Sequence, residues 1–149
     1  MHFVTLVTDY DGTLAEDGKV DPATVDALDA LGQSGRKLIL VTGRELPDFR
    51  RVFSEIGRFD LVIAENGALL YQPATGCETT LAGAPPPVFI DRLRAHHISP
   101  LSVGRSIVAN LEPNEKLEGM PHYKASFCRP RSGWCERAFD AAALCGLAG

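Results

Sequence analysis

Residues Phe3 to Thr8 are all apolar or β-branched. Such a run predicts a strand buried on both faces. It ends at the polar, turn-forming cluster Asp9-Tyr10-Asp11-Gly12-Thr13. Asp21-Pro22 predicts a helix start, with Asp21 as N-cap and Pro22 at the first helical position. Val25, Leu28 and Leu31 give that helix an apolar stripe, and Gly32 and Gly35 mark its end. Lys37 to Val41 reads as a second buried strand running into Thr42-Gly43-Arg44. Leu46, Phe49, Val52, Phe53 and Ile56 predict a helix over Glu45 to Ile56, closed by Gly57. A third strand, Leu61 to Ala64, runs into Glu65-Asn66-Gly67-Ala68.

The order strand, helix, strand, helix, strand over residues 3–64 implies parallel strands joined by right-handed crossovers, an α/β layered sheet. Ligands of such sheets sit beyond the carboxyl ends of the strands. All three polar clusters fall there, so the topology gathers them at one edge. After Ala68 the pattern changes. Leu69 to Tyr71 and Glu78 to Leu81 predict short strands around a turn at Pro73 to Gly76. Pro85-Pro86-Pro87 leads into a helix over Val88 to His96, and a strand is expected over Leu101 to Ala109. These pieces read as the start of a separate α+β module. From Asn110 periodicity is weak, and only Glu136 to Leu147 suggests a helix.

Composition narrows the function classes. The chain has 149 residues, 45% hydrophobic and 23% charged, with a formal net charge of −4. These are values of an ordinary globular domain and not of a disordered chain. The acidic balance argues against a nucleic-acid partner. No apolar run reaches the length of a membrane span, and the first residues lack the pattern of a signal peptide, so a cytoplasmic protein with no membrane partner is expected. Three of the four cysteines, Cys128, Cys135 and Cys145, fall in the last 22 residues. With His122 they match no common zinc spacing, and reduced thiols are the reading.

Asp9 and Asp11, one residue apart beyond a strand, carry the candidate chemistry. Two carboxylates that close repel each other, and a hard divalent cation such as Mg²⁺ relieves the repulsion. With the cation bound, Asp9 stays ionised and can act as a nucleophile, while Asp11 can serve as general acid and base. Thr42 offers a hydroxyl and Gly43 a backbone N–H at the expected opening of a helix, a setting that favours a phosphoryl group. Arg44 reads either as a salt-bridged residue or as a substrate ligand, and Asn66 either as a turn residue or as a substrate contact.

Asp9-Tyr10-Asp11-Gly12-Thr13-Leu14 resembles the first motif of the haloacid dehalogenase (HAD) superfamily. Val41-Thr42-Gly43-Arg44 resembles its second motif, and Glu65-Asn66-Gly67-Ala68 resembles the element that precedes the inserted cap of the Cof-like phosphatase branch. The resemblance covers residues 3–109. It implies a three-layer Rossmann-like parallel sheet, incomplete, with the beginning of an α+β cap. Residues 1–68 would be the first half of the core, 69–109 a partial cap and 110–149 an atypical tail. It further implies a Mg²⁺-dependent phosphatase of small phosphorylated metabolites, with sugar phosphates the expected class, working through an aspartyl-phosphate. Asp9 would be nucleophile and metal ligand, Asp11 acid, base and ligand, and the Tyr10 carbonyl a further ligand. Thr42, Gly43, Arg44 and Asn66 would bind the phosphoryl group or substrate.

Two later motifs of the family, a lysine and an acidic pair such as GDxxND, have no clear counterpart, with Lys116 and Lys124 the candidate lysines. The alternative reading is therefore a catalytically impaired fragment that binds Mg²⁺ and phosphate, truncated and carrying a foreign ending. The apolar first strand would then be a sheet edge, a place for self-association.

Overall fold

The computed structural model describes residues 4–110. Phe3, Lys116, Lys124, the expected helix over 136–147 and the His122, Cys128, Cys135 and Cys145 group lie outside the described residues. Three parallel strands form the core of the sheet: β1 (Thr5–Asp9), β4 (Lys37–Val41) and β5 (Leu61–Ala64). Between them come the small hairpin β2 (Ala15–Glu16) and β3 (Lys19–Val20), the helix α1 (Pro22–Gln33) and the helix α2 (Leu46–Val52). The sheet continues antiparallel through β6 (Leu69–Gln72) and β7 (Cys77–Thr80), in the order β1-β4-β5-β6-β7. The helix α3 (Pro87–Ala95) and the hairpin β8 (Leu101–Val103) and β9 (Val108–Asn110) complete the described chain. The expected α/β sheet is present, and the hairpin after Ala68 extends that same sheet.

The steps from β1 to β4 and from β4 to β5 run in one direction, so right-handed crossovers put α1 and α2 on one face. Strand alternation then divides the apolar residues. Leu38, Leu40, Val62 and Ala64 pack with Leu28 of α1 and with Leu46 and Phe49 of α2. Ile39, Leu61, Ile63 and Leu70 form a second cluster, with Val7 and Val41 against it. Asp21 caps α1 as expected, its Oδ1 accepting the Ala23 N–H at 2.7 Å.

Several expectations change. α2 ends at Val52, short of Ile56, because Phe53 turns to extended backbone (φ −134°, ψ 95°). That turn buries Phe53 among Tyr10, Phe49 and Phe59, with ring centroids 5.6, 5.8 and 6.3 Å away. Burial in an aromatic cluster outweighs a further helical turn. Val52, expected in the core, is 41% exposed. β1 is less buried than its composition suggests: it is the end strand of the described sheet, and Val4 just before it is 65% exposed. The continuous strand expected over 101–109 is instead a hairpin, whose turn the Gly104 N–H closes on the Ile107 carbonyl at 2.9 Å. Among the described residues no helix is long and apolar enough to cross a membrane.

Candidate active site

Register brings the three polar clusters into line. Asp9 pairs with Val41, and Val41 pairs with Ile63. Neighbouring strands lie about 4.8 Å apart, so the residues just beyond these three form one row along the carboxyl edge. Backbone hydrogen bonds tie the row together. Thr42 N–H donates to the Ile63 carbonyl at 2.8 Å, Glu65 N–H to the Arg44 carbonyl at 3.0 Å and Asn66 N–H to the Thr42 carbonyl at 3.3 Å.

The first cluster alternates. Asp9 and Asp11 face out, and Tyr10 between them is fully buried. The Tyr10 ring meets Phe49 edge-on at 4.9 Å, and its hydroxyl donates to the Gly18 carbonyl at 3.2 Å. A core side chain thus fixes the position of both carboxylates. Asp9 Oδ1 accepts the Tyr10 N–H at 2.8 Å. Partial burial of its carboxyl against this turn pushes the Asp9 pKa up, the Tyr10 N–H opposes the rise, and the nearby charge of Asp11 adds to it.

Asp11 is gripped by Arg44. Nε donates to Oδ2 at 2.9 Å and Nη2 to Oδ1 at 2.8 Å, a two-pronged fit of guanidinium to carboxylate. Arg44 Nη1 also donates to Asp48 Oδ2 at 3.0 Å. The bond to Asp11, opposed by partial burial and reinforced by Asp48, raises the pKa of a guanidinium that is always charged. Both roles considered for Arg44 thus remain compatible: it is salt-bridged, and it stands in the site. Thr42 is buried, and its Oγ1 accepts the Arg44 N–H at 3.1 Å. Asn66 holds φ +55° and ψ 35° in the tight turn after β5.

The geometry bears on two expected details. The Tyr10 carbonyl accepts the N–H groups of Ala15 at 2.9 Å, Leu14 at 3.1 Å and Thr13 at 3.4 Å. It is the acceptor that closes the turn, so a cation held there would share it with these N–H groups. Gly43 does not open a helix, since α2 begins at Leu46 with Glu45 as its cap. Its N–H belongs to the loop before that helix.

Two participants carry little signal in the sequence. Asp48 is detectable only as the fourth residue after Arg44, a spacing that pairs side chains on a helix. Glu65 is legible as the first residue of the Glu65-Asn66-Gly67-Ala68 element but not as a core residue, and it proves fully buried. Among the described residues no three His, Cys, Asp or Glu side chains group as a metal site. Asp9 and Asp11 are nonetheless hard oxygen donors, and the upward push of one carboxylate on the other is the strain that a divalent cation relieves. The donor set fits such an ion.

Comparison with known proteins agrees with this architecture. No curated protein matches the chain. Among solved structures, a haloacid dehalogenase-like hydrolase from Bacteroides thetaiotaomicron is 18% identical, with a TM-score of 0.57, over 77% of this chain and 46% of its own. A phosphatase of the haloalkanoate (HAD) superfamily from the same organism is 26% identical, with a TM-score of 0.52, over 74% of this chain and 43% of its own. A sugar phosphatase of HAD subclass IIB is 21% identical, with a TM-score of 0.52, over 76% and 46%. The chain spans slightly under half the length of these three structures. The family model for haloacid dehalogenase-like hydrolases matches residues 6–125. The chain belongs to the haloacid dehalogenase-like hydrolase family.

Proposed function

We propose that the chain is a Mg²⁺-dependent phosphatase of small phosphorylated metabolites, working through an aspartyl-phosphate. The observation that carries this reading is the pair Asp9 and Asp11, held outward by the buried Tyr10 at the carboxyl edge of the sheet. Asp9 attacks phosphorus, and the bond to the leaving oxygen breaks. Asp11 gives that oxygen a proton, then takes one from the water that hydrolyses the acyl phosphate. Mg²⁺, when bound by the Asp9 and Asp11 carboxylates, supplies positive charge to the phosphoryl oxygens. Arg44 donates two hydrogen bonds to Asp11, so the incoming phosphate competes with Asp11 for the guanidinium. Sugar phosphates are the proposed substrate class, by similarity to the sugar phosphatase above.

The grip of Arg44 on Asp11, and the presence of only two converging carboxylates among the described residues, favour a second reading. In it the chain binds Mg²⁺ and phosphate without efficient turnover. One assay separates the two. Hydrolysis of p-nitrophenyl phosphate with Mg²⁺ is measured for wild type and Asp9→Asn. Turnover that the substitution abolishes supports the phosphatase. Turnover that is absent, or unaffected by the substitution, rejects it.

A further inference from the structure

The turn after β5 contains a buried carboxylate that the proposed chemistry does not use. Glu65 is fully buried. Its Oε1 accepts the Arg105 N–H at 2.9 Å and its Oε2 the Ser106 N–H at 2.7 Å. Both donors lie in the turn between β8 and β9. Gly104 packs so closely on the carboxylate that a Cβ there would stand 2.8 Å from Oε1 and 3.0 Å from Oε2. Two other bonds seat the same turn: Ser106 Oγ donates to the Ala82 carbonyl at 2.9 Å, and Arg105 pairs with Glu78 at 2.8 Å.

The main chain of Glu65 faces the candidate site. Its N–H is the one that donates to the Arg44 carbonyl, and Asn66 N–H donates to the Thr42 carbonyl. Glu65 and Asn66 hold φ values of +54° and +55°, a region that residues other than glycine rarely occupy. Such a conformation persists only where its surroundings determine it, and the bonds on both sides of Glu65 do so. One residue therefore grips the loop carrying Thr42 and Arg44 with its backbone and a distant hairpin with its side chain.

We propose that Glu65 is a positioning residue. It seats the β8–β9 turn beside the Thr42 to Arg44 loop, and the seated turn forms a wall that a phosphate ester meets on entering the site. A carboxylate that accepts two backbone N–H groups makes charge-assisted bonds of fixed direction. It recognises backbone alone, so its hold on the turn does not draw on the side chains of Arg105 and Ser106, which bond Glu78 and the Ala82 carbonyl instead. The wall rests on the phosphatase reading, whereas the seating of the turn does not.

The test uses the full chain as wild type, Glu65→Ala, Gly104→Ala and the double variant. Amide hydrogen exchange is read at Arg105 and Ser106, and kcat and KM are measured for p-nitrophenyl phosphate and a hexose phosphate. Either single substitution is expected to speed exchange at both amides by about tenfold or more, while Ile63 in β5 keeps its protection. The double variant exchanges no faster than Glu65→Ala, because the methyl at position 104 then meets no carboxylate. KM moves more than kcat, and the ratio of KM between the two esters shifts by about threefold. Unchanged exchange in both single variants, or additive effects in the double, overturns the seating. Faster exchange with an unchanged KM ratio overturns the wall. Absent turnover in wild type overturns the phosphatase reading and the wall together, and the amides alone then decide the seating.

Discussion

Replacing Tyr10 tests whether the candidate carboxylates are anchored through the core. Its side chain is fully buried, in contact with Phe49 at 4.9 Å and Phe53 at 5.6 Å. Removing a buried aromatic side chain costs about 3–5 kcal/mol, counting both lost transfer energy and the cavity left behind. Tyr10→Phe keeps the ring and loses only the bond to the Gly18 carbonyl, 3.2 Å long and at an exposed residue that water can reach. That change costs under about 1 kcal/mol. In a chain of this size each kcal/mol lowers Tm by about 2–4 °C, so Tyr10→Ala is expected to lose about 6–20 °C and Tyr10→Phe under about 4 °C. Thermal melts followed by circular dichroism, with urea titrations beside them, give both numbers. The anchoring argument fails if Tyr10→Ala melts within about 2 °C of Tyr10→Phe.

Two other outcomes follow from the charged groups. Arg44→Ala is expected to cost under about 1 kcal/mol of stability, since Arg44 and Asp11 are both about one-third exposed, with side-chain values of 31% and 38%. On the proposed phosphatase reading the same guanidinium meets the phosphate, so turnover of p-nitrophenyl phosphate is expected to fall about tenfold or more; a variant that loses stability but keeps its rate contradicts this. For Asp60, burial pushes the carboxyl pKa up, but the bonds from Lys37 Nζ at 2.7 Å and from the Leu38 N–H at 3.0 Å prevail and leave it below the ordinary value. A folded-state pKa below the unfolded one stabilises above about pH 4 and loses that contribution as pH falls further. Urea midpoints measured at pH 6 and pH 3 are therefore expected to fall more steeply in wild type than in Asp60→Asn, and equal slopes contradict the assignment.

The sequence shows most where local chemistry decides. Asp21-Pro22 fixes the start of α1, and the apolar runs of β4 and β5 lie where they are expected. The β2–β3 hairpin was not among the expected elements, although Asp17-Gly18 is a tight-turn pair, and both residues take positive φ, 51° and 75°. It is easily passed over because strands of two residues leave almost no alternation to detect. The β8–β9 turn is hidden for a different reason. Val103, Ile107 and Val108 are β-branched on both sides of it, so the run resembles one strand. The end of α2 at Val52 is set by burial of Phe53 in the aromatic cluster, which helix periodicity does not contain. Contacts between distant residues are the least legible. Arg44 to Asp11 spans 33 positions and Glu65 to Arg105 spans 40, and neither leaves a periodic trace. The candidate site was legible as three clusters, but not as the bonds that join them.

The alternation of Asp9, Tyr10 and Asp11 makes the site depend on parity. Odd positions face outward and the even position faces the core. Deleting or inserting one residue between Thr8 and Gly12 would send a carboxylate into the aromatic cluster and an aromatic ring into water. Composition would barely change, yet folding and chemistry would fail together. The stretch is thereby expected to accept substitution more readily than a change of length, and the length of the turn is as much a part of the candidate site as the identity of its acids.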